Sequence, residues 1–227
     1  MRWMLTVAMM LLPVLTCAQD APALKTEKDR VSYALGMDLG TQLKARGMDI
    51  DTDVFAGALK TAFAGGKTLM TEADAKVIIT ELQKSMAAKQ AEAAKVAGEK
   101  NMKEGEAFLT ANKTKEGFVS LPSGVQYKVM TAGTGKKPTI DDTVVCQYRG
   151  TLIDGKEFDS SYRRGQPAAF PVKGVIKGWT EVLQLMPVGS KWQVVIPSAL
   201  AYGERGAGTD IGPNATLIFE IELVAVK

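Results

Sequence analysis

The chain is 227 residues long, enough for two folded units or for one domain with an extension. Its 28 Lys and Arg against 25 Asp and Glu leave a net charge of +3, too weak a field to make nucleic acid a main partner. There is no histidine, which excludes an imidazole base and most hydrolase chemistry and leaves a metal site only carboxylates. No metal and no cofactor is expected.

Residues 1–18 read as a secretory signal peptide. Arg2 gives a positive start, Trp3 to Leu12 is an apolar run too short to cross a bilayer, and Thr16-Cys17-Ala18 offers a small-residue cleavage site before Gln19. The alternative, lipidation at Cys17, fits less well because Thr16 stands where Gly or Ala is preferred. Cleavage leaves Cys146 as the single thiol, so no intramolecular disulfide can form. The alternation Val144-Val145-Cys146-Gln147-Tyr148 puts Cys146 on the inward face with Tyr148, as a buried and inert thiol rather than a nucleophile.

From Thr26 onward Val31, Leu35, Leu39 and Leu43 recur every fourth residue, and Asp29 follows Thr26 by three, which predicts an amphipathic helix with a capping-box start. A second helix carries Phe55, Leu59 and Phe63 on one stripe, capped by Asp51 or Thr52 and stopped by Gly65-Gly66. Two short helices with one-sided apolar faces need a partner, and a second copy of the same segment is the economical one. Thr71 to about Asn112 has no proline and is dense in Ala, Glu, Lys, Gln and Met, which predicts one long helix, on the order of 60 Å at 1.5 Å per residue. Val77, Ile78, Ile79, Leu82 and Met86 give its first third a packing surface, whereas Ala87 to Lys103 reads as a solvated, free-standing stretch. A coiled coil is the alternative, though large heptad residues do not continue past Met86.

From near Gly117 the pattern turns to strands: Val125–Val129, Val144–Tyr148, Trp192–Ile196 and, most clearly, Leu217–Leu223, in which Phe219 and its alternates face inward and Glu220 and Glu222 face water. Trp179, Val182, Leu183 and Met186 fall at helical spacing before Pro187, so a short helix can cover a curved antiparallel sheet. The architecture expected is α+β. Taken singly, Trp179 and Phe219 read as ordinary core, Asp159 as a turn residue, Arg164 as a solvated charge and Tyr202-Gly203 as a turn. Gly206-Ala207-Gly208 lacks the lysine and the strand-to-helix setting of a phosphate loop.

Four blocks give these residues a common meaning: Leu152 to Ser161, Val175-Ile176-Lys177-Gly178-Trp179, Ala201-Tyr202-Gly203 and Pro213 to Phe219. In order and spacing they resemble the signature blocks of the FKBP-type peptidyl-prolyl cis-trans isomerases. Val31 to Gly36, Gly105 to Thr110 and Leu121 to Val129 are similar to the macrophage infectivity potentiator (Mip) branch, so the likeness covers nearly the whole mature chain. The resemblance implies a curved antiparallel sheet wrapped on a short helix, and a division into a signal peptide (1–18), a helical dimerisation domain (19–70), a linker helix (71–113) and an isomerase domain (114–227). It also implies a homodimer through the N-terminal helices, working in the periplasm or at the outer membrane of a Gram-negative bacterium.

The resemblance assigns roles residue by residue. Tyr148, Phe158, Val175, Ile176, Trp179 and Phe219 match the apolar lining of a proline pocket, with Trp179 as its floor. The Ile176 N–H and the Tyr202 hydroxyl match groups that hold substrate carbonyls. Asp159 matches the pocket carboxylate that meets the rotating carbonyl and fixes Tyr148 and Arg164, and Ile211 is expected at the rim of a glycine-rich loop. Proline-containing peptides and unfolded exported proteins are the implied partners, and rapamycin-like macrolides the implied inhibitors. Ala168 stands where many relatives carry a large aromatic, which implies a more open pocket on that side. Two functions remain: an isomerase of X-Pro bonds, or a dimeric chaperone that grips clients. A Gly117–Lys227 fragment that keeps peptide activity but loses aggregation suppression would separate them.

Overall fold

The computed structural model describes residues 24–227, so the signal-peptide segment and Cys17 lie outside the described residues. Two compact units divide the chain, the first ending at Thr71 and the second running from Glu72 to Lys227.

In the first unit, α1 spans Glu27–Ala45 and α2 spans Thr52–Phe63. The Thr26 hydroxyl accepts from the Asp29 N–H at 3.1 Å while the Asp29 carboxylate accepts from the Thr26 N–H at 2.9 Å, so the expected capping box is closed. At α2 the choice between two caps falls on Asp51, whose carboxylate accepts from the Asp53 and Val54 N–H groups. Gly65 supplies the left-handed residue beyond its end, with φ +66°. Neither helix buries a single residue, and Leu35 and Phe63 stand in the open.

The second unit opens with α3, Glu72–Lys113, an unbroken helix of 42 residues. Its first third does not pack: Val77, Ile78, Ile79 and Leu82 are all exposed. The free-standing reading of Ala87–Lys103 holds only as far as Gly98. From there Gly98, Gly105 and Asn112 are buried, because the small residues let the helix lie directly against the strand domain. There Asn112 Nδ2 donates to Gln126 Oε1 at 2.9 Å and Gln126 Nε2 donates to the Leu109 carbonyl at 2.8 Å, so two buried amides satisfy each other and the helix.

Seven strands follow: β1 (Phe118–Ser120), β2 (Gln126–Thr131), β3 (Thr143–Leu152), β4 (Glu157–Ser160), β5 (Ala168–Pro171), β6 (Lys191–Ile196) and β7 (Leu217–Val226). They form one antiparallel sheet in the order β1-β2-β6-β7-β3-β4, with β5 on the free part of β3. Between β5 and β6 lies α4, Lys177–Leu183, which buries Trp179, Val182 and Leu183 against the sheet, with Met186 buried just past its end. The helix stops before Pro187 because Leu185 and Met186 hydrogen-bond back to Val182 as a turn. Cys146 and Tyr148 share the inward face as the alternation requires, and burial pushes the Cys146 thiol up to about 12.

Register decides what meets over the middle of the sheet. Gly150 on β3 pairs Phe219 on one side and Asp159 on the other. A Cβ at Gly150 would stand 2.6 Å from the Phe158 ring and 2.8 Å from that of Phe219, so a bare backbone is what lets both rings lie across the strand. Gly150→Ala should therefore lower stability by about 1–3 kcal/mol, the usual range for overpacking. Urea unfolding of the full chain measures it, and an unchanged midpoint would show that the rings can move aside.

Candidate functional site

The four blocks meet at one end of the sheet, around a cavity of about 660 Å³. Trp179, 4% exposed, is presented by α4 as its floor. Three rings stand edge-on to the indole: Tyr148 from β3 and Phe219 from β7, each with centroids at 5.3 Å, and Phe170 from β5 at 5.7 Å. Phe158 from β4 meets Phe219 edge-on at 5.6 Å and extends the wall. Edge-to-face contacts of this kind fix ring orientation as well as burying area. The Trp179 Nε1 atom is itself buried without a hydrogen-bond partner among the described residues, so what the floor offers the cavity is ring carbon.

On one side the cavity is polar. Tyr148 Oη donates to Asp159 Oδ2 at 2.5 Å, Arg164 Nη1 donates to Oδ1 at 2.5 Å, and Arg164 Nη2 donates to Tyr148 Oη at 2.5 Å. The Ser160 N–H adds a donor to Oδ1 at 2.8 Å. Asp159, Tyr148 and Arg164 thus form a closed triangle, and the Arg164 guanidinium lies 5.4 Å from the Tyr148 ring centroid. Burial acts to raise the Asp159 carboxyl, but the Tyr148 and Arg164 hydrogen bonds and the Arg164 charge overcome it and hold the group below the usual carboxylate range. Burial, and then the bond to Asp159, push the Tyr148 phenol up. Burial, and then the Asp159 charge, do the same to Tyr202.

Val175 and Ile176 enter the cavity from the extended turn that leads into α4. Ile176 is the N-cap of that helix, and its own N–H donates to no group among the described residues. Tyr202 stands opposite, 41% exposed, at the start of the short helical turn Gly203–Arg205. Ile211 departs from expectation. It is only 7% exposed and forms wall rather than rim, because Ala207 and Ile211 exchange two backbone hydrogen bonds of 2.8 and 3.1 Å that fold the loop inward.

Nine of the ten residues singled out from the sequence line this one cavity; Arg164 stands behind Asp159 and reaches the site through it. Sequence reasoning missed Phe170, Ala207 and Asp210. Phe170 lines the cavity edge-on to Trp179, and its signal was a lone aromatic in a four-residue strand too short to show a period. Asp210 is held by Lys156 Nζ at 2.8 Å, a contact between residues 54 apart that no local pattern reveals.

In acid, a carboxyl whose folded pKa is depressed stabilises the fold above its unfolded value, near 4, and loses that contribution as pH falls through the folded value. Tyr148, Tyr202 and Arg164 are all pushed up, and Asp210, bonded to Lys156, is held down like Asp159. If the site carries out the isomerisation that the resemblance implies, its rate should be flat from about pH 5 to about pH 9. A loss of stability should set in only below about pH 4 and be smaller in Asp159→Asn. Rate against pH, with thermal midpoints alongside, checks both; a midpoint near neutrality would reveal a base that this geometry does not contain.

Comparison with known proteins agrees with this geometry. Residues 134–224 match the family described as FKBP-type peptidyl-prolyl cis-trans isomerase, and residues 28–129 match the domain described as amino terminal to it. The chain is 49% identical over 226 residues to the outer membrane protein MIP of Legionella longbeachae, covering 99% of this chain and 97% of that one. It is 45% identical to the peptidyl-prolyl cis-trans isomerase Mip of Coxiella burnetii, over 93% and 92% of the two chains. The crystal structure of FkpA from Escherichia coli superposes with a TM-score of 0.67 at 34% identity, covering 90% of this chain and 99% of that one. With both segments matched and relatives this similar end to end, the chain belongs to the FKBP-type peptidyl-prolyl cis-trans isomerases, in their Mip branch.

Proposed function

We propose that catalysis takes place over Trp179, with Asp159, Tyr202 and the Ile176 N–H as the groups that meet the substrate backbone. Rotation about an X-Pro bond must break amide resonance across a barrier of about 18–20 kcal/mol. The twisted amide carries less charge separation than the planar one, so a cavity that strips water from it favours the twisted form; no covalent intermediate is needed. The observation that carries this reading is the convergence of Tyr148, Phe170 and Phe219 on one buried indole, an aromatic floor against which a pyrrolidine ring can pack. Tyr148, Phe158, Val175 and Phe219 enclose the ring and its flanks, Ile211 forms the facing wall, and Arg164 keeps Asp159 ionised and in place.

With its lone pairs engaged by Tyr148, Arg164 and Ser160, Asp159 acts as a fixed negative charge rather than a proton acceptor. It favours a carbonyl that turns its carbon edge inward as the amide rotates. Tyr202, kept protonated by its surroundings, donates to a neighbouring substrate carbonyl. Asp159→Ala should lower kcat/KM by about tenfold or more, and Tyr202→Phe by about two- to tenfold, the worth of one hydrogen bond. Magnetisation exchange on an X-Pro peptide measures both, with circular dichroism to establish that the fold survives; full activity in a folded Asp159→Ala protein would remove the carboxylate from the mechanism.

The substrates proposed are proline-containing segments of exported proteins, in keeping with the outer-membrane name of the Legionella relative. Export would proceed by removal of residues 1–18 and place the protein in the periplasm or at the outer membrane, with a lipid at Cys17 the lesser alternative. The functional division proposed is a dimerisation segment (19–70), a linker helix (71–113) and an isomerase domain (114–227). The exposed apolar stripes of α1 and α2, with Leu35 at 66% and Phe63 at 93% exposure, support a second copy as their cover. A second reading, a chaperone clamp in which the pocket is mainly a grip, would use the same dimer. Leu35→Asp with Phe63→Asp should give a monomer by analytical ultracentrifugation that turns over a short peptide within about twofold of the parent but suppresses aggregation of a large client poorly. Equal suppression by the monomer would remove the clamp.

A further inference from the structure

One face of α3 beyond Gly98 touches the part of the strand domain that builds the pocket wall. Asn101 Nδ2 donates to the Pro213 carbonyl at 2.8 Å, across 112 residues of sequence. A Cβ at Gly98 would come within 3.2 Å of Pro213 and of the Asn214 side chain, and one at Gly105 would overlap Thr216. Gly212, between Ile211 and Pro213, would meet Asn101 Nδ2 at 3.1 Å if it carried a side chain. The helix is thus seated on residues 212–216 with no spare room, and Asn101 is the polar contact at the centre of the seat.

Those residues join two groups of the site. Two positions before Pro213 stands Ile211, the buried wall, held by its paired bonds to Ala207. One position after it, Asn214 donates its N–H to the Gly203 carbonyl at 2.8 Å, in the turn that follows Tyr202. Asn214 adopts φ +55°, the one left-handed non-glycine among the described residues. The Pro213 carbonyl therefore sits at the joint between the apolar wall and the Tyr202 turn, in a backbone conformation that needs external support.

We propose that Asn101, outside the strand domain, is a positioning residue for the pocket: its bond to Pro213 fixes the Ile211 wall, so the last four turns of α3 belong to the working isomerase. This rests on the pocket reading above and deepens it. It also moves the start of a self-sufficient fragment from Gly117 to ahead of Gly98, since a cut at Gly117 would strip away Asn101 and leave the buried Gln126 amide without Leu109 and Asn112. The wall encloses substrate in the planar and twisted forms alike, so loosening it weakens binding more than turnover.

The test compares Asn101→Ala with Asn112→Ala in the full chain, because Asn112 also anchors α3 but on β2, away from the wall. For Asn101→Ala, KM for a proline tetrapeptide should rise about three- to tenfold with kcat within about twofold. Amide exchange at Ile211 should accelerate by about tenfold or more as the Ala207 pairing opens more often. Asn112→Ala should lower the thermal midpoint and leave KM and Ile211 exchange at parent values. The proposal is overturned if Asn101→Ala keeps parental KM and Ile211 exchange, or if Asn112→Ala alters both as much. Inactivity of the parent would instead overturn the pocket reading, while the Ile211 exchange ratio would still judge the coupling.

Discussion

The Trp179 indole is held by three rings that belong to three different strands, and each meets it edge-on at 5.3–5.7 Å. No one of these contacts is large, at about 0.5–1.5 kcal/mol beyond area burial, but together they leave the ring a single orientation. The sheet exists in the right curvature to bring Tyr148, Phe170 and Phe219 to one point because β3 bridges β4, β5 and β7, and Gly150 gives up its side chain where two rings cross it. The indole N–H is buried without a partner among the described residues, a cost of about 1–3 kcal/mol that the packing of the box has to offset.

Against that apolar floor the single fixed charge gains weight. Asp159 is ionised and pinned on both oxygens, with Arg164 balancing it from behind, so its field is present before a substrate arrives. The chemistry suits a chain with no histidine: an amide that rotates without proton transfer has no use for a group that titrates near neutrality.

Helices with caps were the most legible part of the fold. Thr26 with Asp29, and Asp51 at its place ahead of Phe55, Leu59 and Phe63, state their starts within four residues of sequence, and the long proline-free run does the same for α3. Strands β1, β4 and β5 are three or four residues long, too short to carry a period in the sequence. The site was readable through the family blocks rather than through chemistry: Asp159 looks like a turn residue until Tyr148 and Arg164 are seen to close on it. What stayed hidden is long-range. Phe170 in the wall, the inward fold of Ile211, and the docking of Gly98 to Asn112 onto the strand domain each depend on partners far away in sequence, and a glycine in an alanine-rich helix gives no sign of what it lies against.

The central claim is that the pyrrolidine ring of the substrate rests on Trp179 in a dry aromatic box. Intermolecular nuclear Overhauser contacts between a labelled proline peptide and the full chain test it most directly. The ring protons should show contacts to the Trp179 indole and to Tyr148 and Phe219, with upfield shifts from the stacked ring. Contacts confined to the groove where Tyr127 stacks on the buried Trp192, or ring protons with the shifts of free peptide, would contradict it.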